Sequence, residues 1–225
     1  EAFNSSSATL LTIRDNIHFV MVNSVAMEGD GCNICENAEY ELHSISKRLK
    51  CGRGIGKCDK VPKLEAAYSK PIVLQHYPMY RESDRACREH DSPTIDLYRE
   101  RWEVLSKEST DLIGELIEPR LAFSGHSHHF CHLTNRLRIE EYTVPSFNWR
   151  NKANPSFLLA TLTSTDHAIS KCNLPLERAI VHSYLVGVVL TILILSCRGW
   201  IGKALGRVRG LFRRRRCLQY KKLEH

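Results

Sequence analysis

Residues 121–128, Leu121-Ala122-Phe123-Ser124-Gly125-His126-Ser127-His128, contain a short apolar strand that is followed at once by two histidines. Because one residue separates His126 from His128 just beyond the strand, both imidazoles can point at one place. Neutral imidazole is the commonest metal ligand that proteins supply. The stretch therefore predicts a metal centre at the carboxyl edge of a sheet.

A second apolar strand, Ile72-Val73-Leu74, runs into Gln75-His76-Tyr77-Pro78 and offers a third histidine in the same setting. Two strands that end side by side would bring His76 close to His126 and His128, which we take as the candidate metal ligands. The spacing alone is also compatible with a surface turn that happens to contain histidines. No sequence motif in the chain supplies the carboxylates that a two-metal centre uses.

The remaining pattern predicts a layered α/β or α+β domain, because strand, helix and strand are followed by a run of strands. Residues 17–22 form a β-branched and aromatic run that predicts a buried strand, and residues 38–49 have helical spacing. Ser109-Thr110-Asp111 predicts the cap of a helix that ends before Pro119. The charged stretch 81–93 predicts a mobile loop beside His76. Further strands are predicted near residues 137–144, 157–163 and 168–172.

Composition divides the chain into a luminal domain (1–177), a transmembrane helix (178–197) and a basic cytosolic tail (198–225). Residues 179–197 carry no Asp, Glu, Lys or Arg, and a helix of that length crosses a hydrocarbon core of roughly 30 Å. Ten basic residues and one acidic residue follow Cys197, which places the tail on the cytosolic side. The preceding part holds 22 basic and 24 acidic residues, and this balance does not favour nucleic-acid binding.

Seven of the nine cysteines precede residue 178, as an oxidising lumen would permit. Cys32, Cys35, Cys51 and Cys58 could form a zinc ribbon, but the step from Cys51 to Cys58 is too wide for a second zinc knuckle. Disulfides are therefore the preferred interpretation, and the sequence does not reveal their pairing. Asn4-Ser5-Ser6 is a glycosylation sequon.

The two histidine segments resemble the last two motif blocks of the calcineurin-like metallophosphoesterase superfamily. Residues 143–151, Thr-Val-Pro-Ser-Phe-Asn-Trp-Arg-Asn, with 154–157, Asn-Pro-Ser-Phe, are similar to a branch of this family that acts on GPI anchors. Asn23-Ser24-Val25-Ala26 and the C-terminal anchor extend the resemblance over the whole chain. The Gly-His-x-His block is moderately specific by itself, and the segment with Trp149-Arg150 makes the match strong.

The resemblance implies the α/β fold class, with the chain as the C-terminal part of a four-layer α/β/β/α sandwich. The sandwich is expected to hold two divalent ions, and manganese is the expected metal. His76 and His126 would bind one ion and His128 the other. The implied reaction removes ethanolamine phosphate from the second mannose of GPI anchors and so promotes exit of GPI-anchored proteins from the endoplasmic reticulum. The implied location is the membrane of the early secretory pathway, between ER exit sites and the Golgi, where cargo-export machinery is a possible partner.

The family's upstream motif blocks, which carry the bridging aspartate and other ligands, are expected before residue 1. The chain is thus expected to represent the carboxyl part of a longer enzyme and to be inactive alone. The alternative is a catalytically inactive, truncated isoform that serves as a membrane-anchored binding module for GPI-linked cargo.

A pair of candidate substrate-binding residues and a candidate retrieval signal are assigned from their positions in the sequence alone. Trp149 and Arg150 are candidate substrate-binding residues, although a core tryptophan beside a solvated arginine is an equal alternative. Lys221 and Lys222 resemble a dilysine retrieval signal, but they lie one position further from the terminus than that signal prefers. A basic segment attracted to anionic lipid explains the same charges.

Overall fold

The structure is a computed structural model that describes residues 6–29, 37–87 and 97–199. It divides into two units, with the boundary between Leu174 and Pro175. The strands and helices, in chain order, are β1 (Ala8–Ile13), β2 (Ile17–Val22), α1 (Ala38–Gly52), β3 (Ile72–Gln75), α2 (Lys107–Ile117), β4 (Leu121–Ser124), β5 (Cys131–Thr134), β6 (Glu140–Thr143), β7 (Ser156–Leu162), β8 (His167–Asn173) and α3 (Glu177–Ser196).

The first unit is built on a six-stranded sheet in the order β1-β2-β3-β4-β6-β5. Its four central strands are parallel to one another, and the edge strands β1 and β5 run antiparallel to their neighbours. Because parallel strands all end at one edge, the loops that follow β3 and β4 emerge together. That edge is where open α/β sheets place their ligands.

Alternation along the strands gives the large sheet two apolar faces. One face, with Val73 and Ala122 at its centre, packs against Leu42 of α1 and Ile113 of α2. The opposite face carries Ile72, Leu121 and Tyr142 and packs against residues of a two-stranded sheet formed by β7 and β8. The layers are thus helix, sheet and sheet, which confirms the predicted α/β class and matches three layers of the expected α/β/β/α sandwich.

The N-cap of helix α2 lies three residues earlier than predicted. Ser106 has extended backbone angles, and its side chain accepts a hydrogen bond from the Ser109 N–H at 3.2 Å, as an N-cap residue does. Ser109 lies inside the helix, where its hydroxyl donates to the Met27 carbonyl. The assignment of the cap to Ser109-Thr110-Asp111 was therefore wrong, because that serine bonds across to a neighbouring segment.

The charged stretch after His76 is not the solvated loop that its composition suggested. Arg81 and Asp84 are each only 8% exposed and form an ion pair with an Nε–Oδ1 distance of 2.7 Å. Tyr98 lies beside this pair, and burial together with the Asp84 carboxylate raises the pKa of its hydroxyl to about 12. Residues 81–87 form a loop without helix or strand, as predicted, but two of its charged side chains are buried. Its mobility remains a prediction, and residues 88–93 lie outside the described part.

Within the residues that the structure describes, two disulfides join Cys51 to Cys58 and Cys87 to Cys131. The first confirms the disulfide interpretation for Cys51 and Cys58 and removes them from any zinc ribbon. The second ties the segment after β3 to strand β5. Cys32, Cys35, Asn4, Lys221 and Lys222 lie outside the described residues.

The second unit contains α3, a helix of 20 residues with no buried residues, whose most apolar 18-residue window has a mean hydropathy of 2.2. Its length and composition are sufficient to cross a membrane. It starts and ends one residue before the predicted limits of 178 and 197. The orientation of this helix and the compartment of the preceding unit remain predictions.

Candidate metal centre

The loops that follow β3 and β4 are joined directly through their backbones. The two strands pair in parallel with Leu74 opposite Phe123, and the Gly125 N–H donates to the His76 carbonyl at 2.9 Å. This geometry confirms that the two histidine-bearing strands end side by side. The role of residues 125–129 as a metal-binding turn, rather than a surface turn that happens to contain histidines, remains a prediction.

The imidazoles of His76 and His126 are in hydrogen-bonding contact. Nε2 of His76 lies 3.1 Å from Nδ1 of His126, and the rings are nearly perpendicular, at 78°. Two nitrogen ligands about 2.1 Å from one ion, at right angles, are about 3 Å apart. The observed separation therefore fits two ligands of a single ion, and the role of these residues as ligands remains a prediction.

The Gly-His-Ser-His turn adopts an uncommon backbone. His126 has φ 69° and His128 has φ 63°, both in the left-handed region that non-glycine residues rarely occupy. The Ser127 N–H donates to the Gly125 carbonyl at 2.8 Å, which closes a three-residue turn around His126. Backbone strain of this kind clusters at functional sites, where the surrounding structure maintains it.

His128 does not form a tight three-histidine cluster with His76 and His126. Among described residues, the only three His, Cys, Asp or Glu ligand atoms within 4.8 Å of one another belong to Asp84, Cys87 and Cys131. The three candidate histidines thus do not bring one ligand atom each within 4.8 Å of one another, and the assignment of His128 to a second ion remains a prediction. The Asp84 group is not a metal site, since both of its cysteines form the Cys87–Cys131 disulfide and its carboxylate pairs with Arg81.

The surroundings of His126 favour its neutral form. Partial burial, followed by the nearby imidazoles of His76 and His128, lowers its pKa below the ordinary value of 6.5. A hydrogen bond to the Trp102 carbonyl and the charge of Glu103 oppose this shift only in part. An imidazole that is neutral near pH 7 can bind a metal ion without first losing a proton.

Ser24 holds the His76 loop and was not predicted to do so. Its side chain is buried, and its Oγ accepts hydrogen bonds from the backbone N–H groups of His76 at 2.8 Å and Tyr77 at 2.9 Å. The adjacent Asn23 side chain accepts from the Val25 N–H and fixes the turn. The only sequence signal was the position of Asn23-Ser24 directly after β2, on the sheet edge that carries the histidines.

Other side chains that lie around the histidines were also not predicted from the sequence. The ring of Tyr77 meets the His126 ring edge to face, with 4.7 Å between their centres. Glu103 brings a carboxylate whose charge acts on His126, although its oxygens are hydrogen-bonded to Arg99. Trp102 exposes 71% of its surface while its carbonyl meets the His126 ring. Neither Trp102 nor Glu103 belongs to a recognisable motif.

The segment with Trp149 and Arg150 is attached to the histidine turn. The Ser146 N–H donates to the His128 carbonyl at 3.0 Å, three residues before Trp149. Trp149 is 39% exposed, and the Arg150 N–H donates to the Asn148 side chain in a surface turn. The structure therefore brings this segment close to the candidate ligands, and its role in substrate binding remains a prediction.

The α/β/β layering, with paired histidine loops at the carboxyl edge of the large sheet, accords with the class of metallophosphoesterases that the chain resembles. Within that class its relatives are metallophosphoesterase 1 proteins. It is 52% identical over 193 residues to a metallophosphoesterase 1 homolog of Drosophila melanogaster, across 86% of this chain and 52% of that protein. The metallophosphoesterase 1 of Cricetulus griseus is 44% identical over 188 residues, across 80% of this chain and 48% of that protein.

The chain thus spans about half the length of the curated relatives it matches. No family model matches it. Solved structures with a similar arrangement include GAP50, the anchor in the inner membrane complex of Plasmodium, with a TM-score of 0.43 and 13% identity over 76% of this chain and 53% of that one. Another is a dimetal phosphatase from Danio rerio, with a TM-score of 0.40 and 8% identity over 78% of this chain and 62% of that one. At these values neither likeness bears on function.

Proposed function

We propose that this chain contributes to a phosphodiesterase that depends on two divalent metal ions, manganese by preference. The observation that carries the proposal is the approach of His76 Nε2 to within 3.1 Å of His126 Nδ1, in a chain 52% identical to a metallophosphoesterase 1 homolog. When bound, such a pair of ions activates water and neutralises charge on a phosphoryl group. His76 and His126 would hold one ion and His128 the other. The remaining ligands would come from the half of the relatives' sequence that this chain does not match.

The chain's own residues prepare these ligands. The carbonyl of Trp102 bonds to the ring of His126, and such outer partners fix the orientation of ligating imidazoles. Ser24 fixes the backbone from which His76 projects. The neutral state of His126 removes the need to release a proton before an ion binds.

The substrate that we propose is the ethanolamine phosphate on the second mannose of a GPI anchor. Trp149 is 39% exposed and lies three residues after Ser146, which bonds to the His128 carbonyl, and an aromatic ring can attract a ligand ammonium group. Arg150 supplies a planar cation suited to a phosphate. Helix α3 is long and apolar enough to cross a membrane and would anchor the chain in the membrane that carries its substrates. The location would be the early secretory pathway, with the tail in the cytosol.

The test uses the chain alone and the chain joined to the amino-terminal half of the Drosophila relative. Each is incubated with Mn2+ and a GPI glycan that carries ethanolamine phosphate on the second mannose, and the product is measured by mass spectrometry. Release by the joined protein, lost in His128→Ala and retained in His43→Ala, supports the proposal. The absence of release, together with cargo binding that a chelator does not affect, would instead favour the non-catalytic binding module.

A further inference from the structure

Glu141 is a completely buried carboxyl group that the proposed chemistry does not use. It lies on β6 opposite Ala122 of β4, with 0% of its surface exposed. Its side chain points to the face of the sheet that packs against the helices, where Ala122 is part of the apolar core. Because burial of a carboxyl group is costly, its bonding partners indicate what it maintains.

One oxygen of Glu141 joins the two histidine-bearing segments. Its Oε1 accepts a hydrogen bond from the Met79 N–H at 3.0 Å and another from the Ser124 hydroxyl at 2.7 Å. Met79 follows His76 by three residues, and Ser124 precedes His126 by two. The carboxyl group therefore sets the distance between the segment after β3 and the end of β4.

Arg81 extends this connection. Its Nη1 lies 3.8 Å from Glu141 Oε2 and donates to the Thr143 hydroxyl at 3.0 Å. Its Nε bonds to Asp84, whose other oxygen accepts from Tyr98. Tyr98 lies four residues before Trp102, the residue whose carbonyl meets the His126 ring. The buried network thus reaches three segments that surround the histidine pair.

We propose that Glu141 is a positioning residue that holds His76 and His126 at the separation required to share one metal ion. The functional role of this positioning rests on the proposed metal centre. The positioning itself is a property of the metal-free chain. Glu140 provides a matched comparison, because its carboxylate bonds on the opposite face of the sheet to His132, Tyr142 and His167.

The test reads the ring signals of the eleven histidines by nitrogen-15 NMR, with the whole chain in detergent micelles and no metal. Glu141→Ala should shift and broaden the His76 and His126 signals while those of His43 and His182 stay unchanged. Glu141→Gln keeps an oxygen that can accept both hydrogen bonds and should restore the native signals. Glu140→Gln should move the His132 and His167 signals and leave the pair unaffected.

Ser124→Ala removes a single hydrogen bond to Glu141. It tests the positioning role of Glu141 if the Glu141→Ala variant does not fold. In the Ser124→Ala variant the His126 signal should shift more than the signal of any histidine outside the pair. Folded Glu141→Ala or Ser124→Ala with native His76 and His126 signals would overturn the inference. So would an equal disturbance by Glu140→Gln. Since no metal is present in this experiment, failure of the joined protein to bind Mn2+ would refute the proposed function without changing this result.

Discussion

Nε2 of His76 and Nδ1 of His126 lie 3.1 Å apart, although 50 residues separate them in the sequence. The parallel pairing of β3 with β4 brings the two strand ends together, and the hydrogen bond from Gly125 to the His76 carbonyl aligns them. Ser24 supports one side of this arrangement, and Ser124 supports the other through Glu141.

Ser24→Ala should destabilise the domain and loosen the His76 loop. The substitution leaves the His76 and Tyr77 N–H groups without their buried acceptor, and such a loss costs about 1–3 kcal/mol. The free energy of unfolding from urea titration measures the effect. Ser44→Ala, at an exposed position on α1, should stay within about 0.5 kcal/mol of the wild type. Equal stability of the two variants would show that Ser24 does not support the loop.

The two disulfides should differ in their contribution to stability. Cys87 and Cys131 are 44 residues apart, whereas Cys51 and Cys58 are 7 apart. Loop-closure entropy then gives about 4 kcal/mol for the long loop and about 2 kcal/mol for the short one. Thermal unfolding of the paired Cys→Ser variants tests the order, with each bridge checked by non-reducing peptide mapping. A greater loss from the Cys51–Cys58 variant would contradict the prediction.

Glu140 should make the link between β6 and β8 depend on pH. Although burial opposes the shift, hydrogen bonds from Tyr142 and His132 and the charge of His167 lower the pKa of Glu140 below 4.5. A lowered carboxyl pKa stabilises the fold above pH 4.5, and this contribution is lost as the pH falls through the lower folded value.

The comparison with Glu140→Gln tests this sign. The wild type should have the higher urea midpoint at pH 5.5, and the difference should shrink by pH 3.5. Glu65→Gln, at an exposed position, serves as the control and should follow the wild type at both values. A gap between wild type and Glu140→Gln that widens on acidification would show that the sign is wrong.

The central strands could be predicted because their chemistry is simple. β2 and β4 are buried apolar runs, and the observed β2 has the predicted limits of 17 and 22. β1 and β5 were missed because they are edge strands, and β5 is a mixed Cys-His-Leu-Thr segment with one buried residue in four. An edge strand is specified by its neighbour more than by its own composition.

Some residues of the candidate site could likewise be predicted from the sequence, and others could not. His76 and His126 follow recognisable apolar strands, so their proximity could be predicted from the sequence. Ser24, Trp102 and Glu141 could not, because each acts through contacts between segments far apart in the chain. Glu141 lies in a strand of mixed polarity, and only the fold reveals that its carboxyl group is buried. Disulfide pairing was equally inaccessible, since it depends on distances between loops.

Mn2+ binding tests the central claim most directly. Bound Mn2+ is counted by electron paramagnetic resonance in the chain, alone and joined to the amino-terminal half of the Drosophila relative. We predict weak binding by the chain and two ions in the joined protein. His76→Ala or His126→Ala should weaken binding at least about tenfold, as loss of a metal ligand's support already does, while His43→Ala should have no effect. Equal Mn2+ binding by all of these variants would show that the histidine pair is not part of a metal centre.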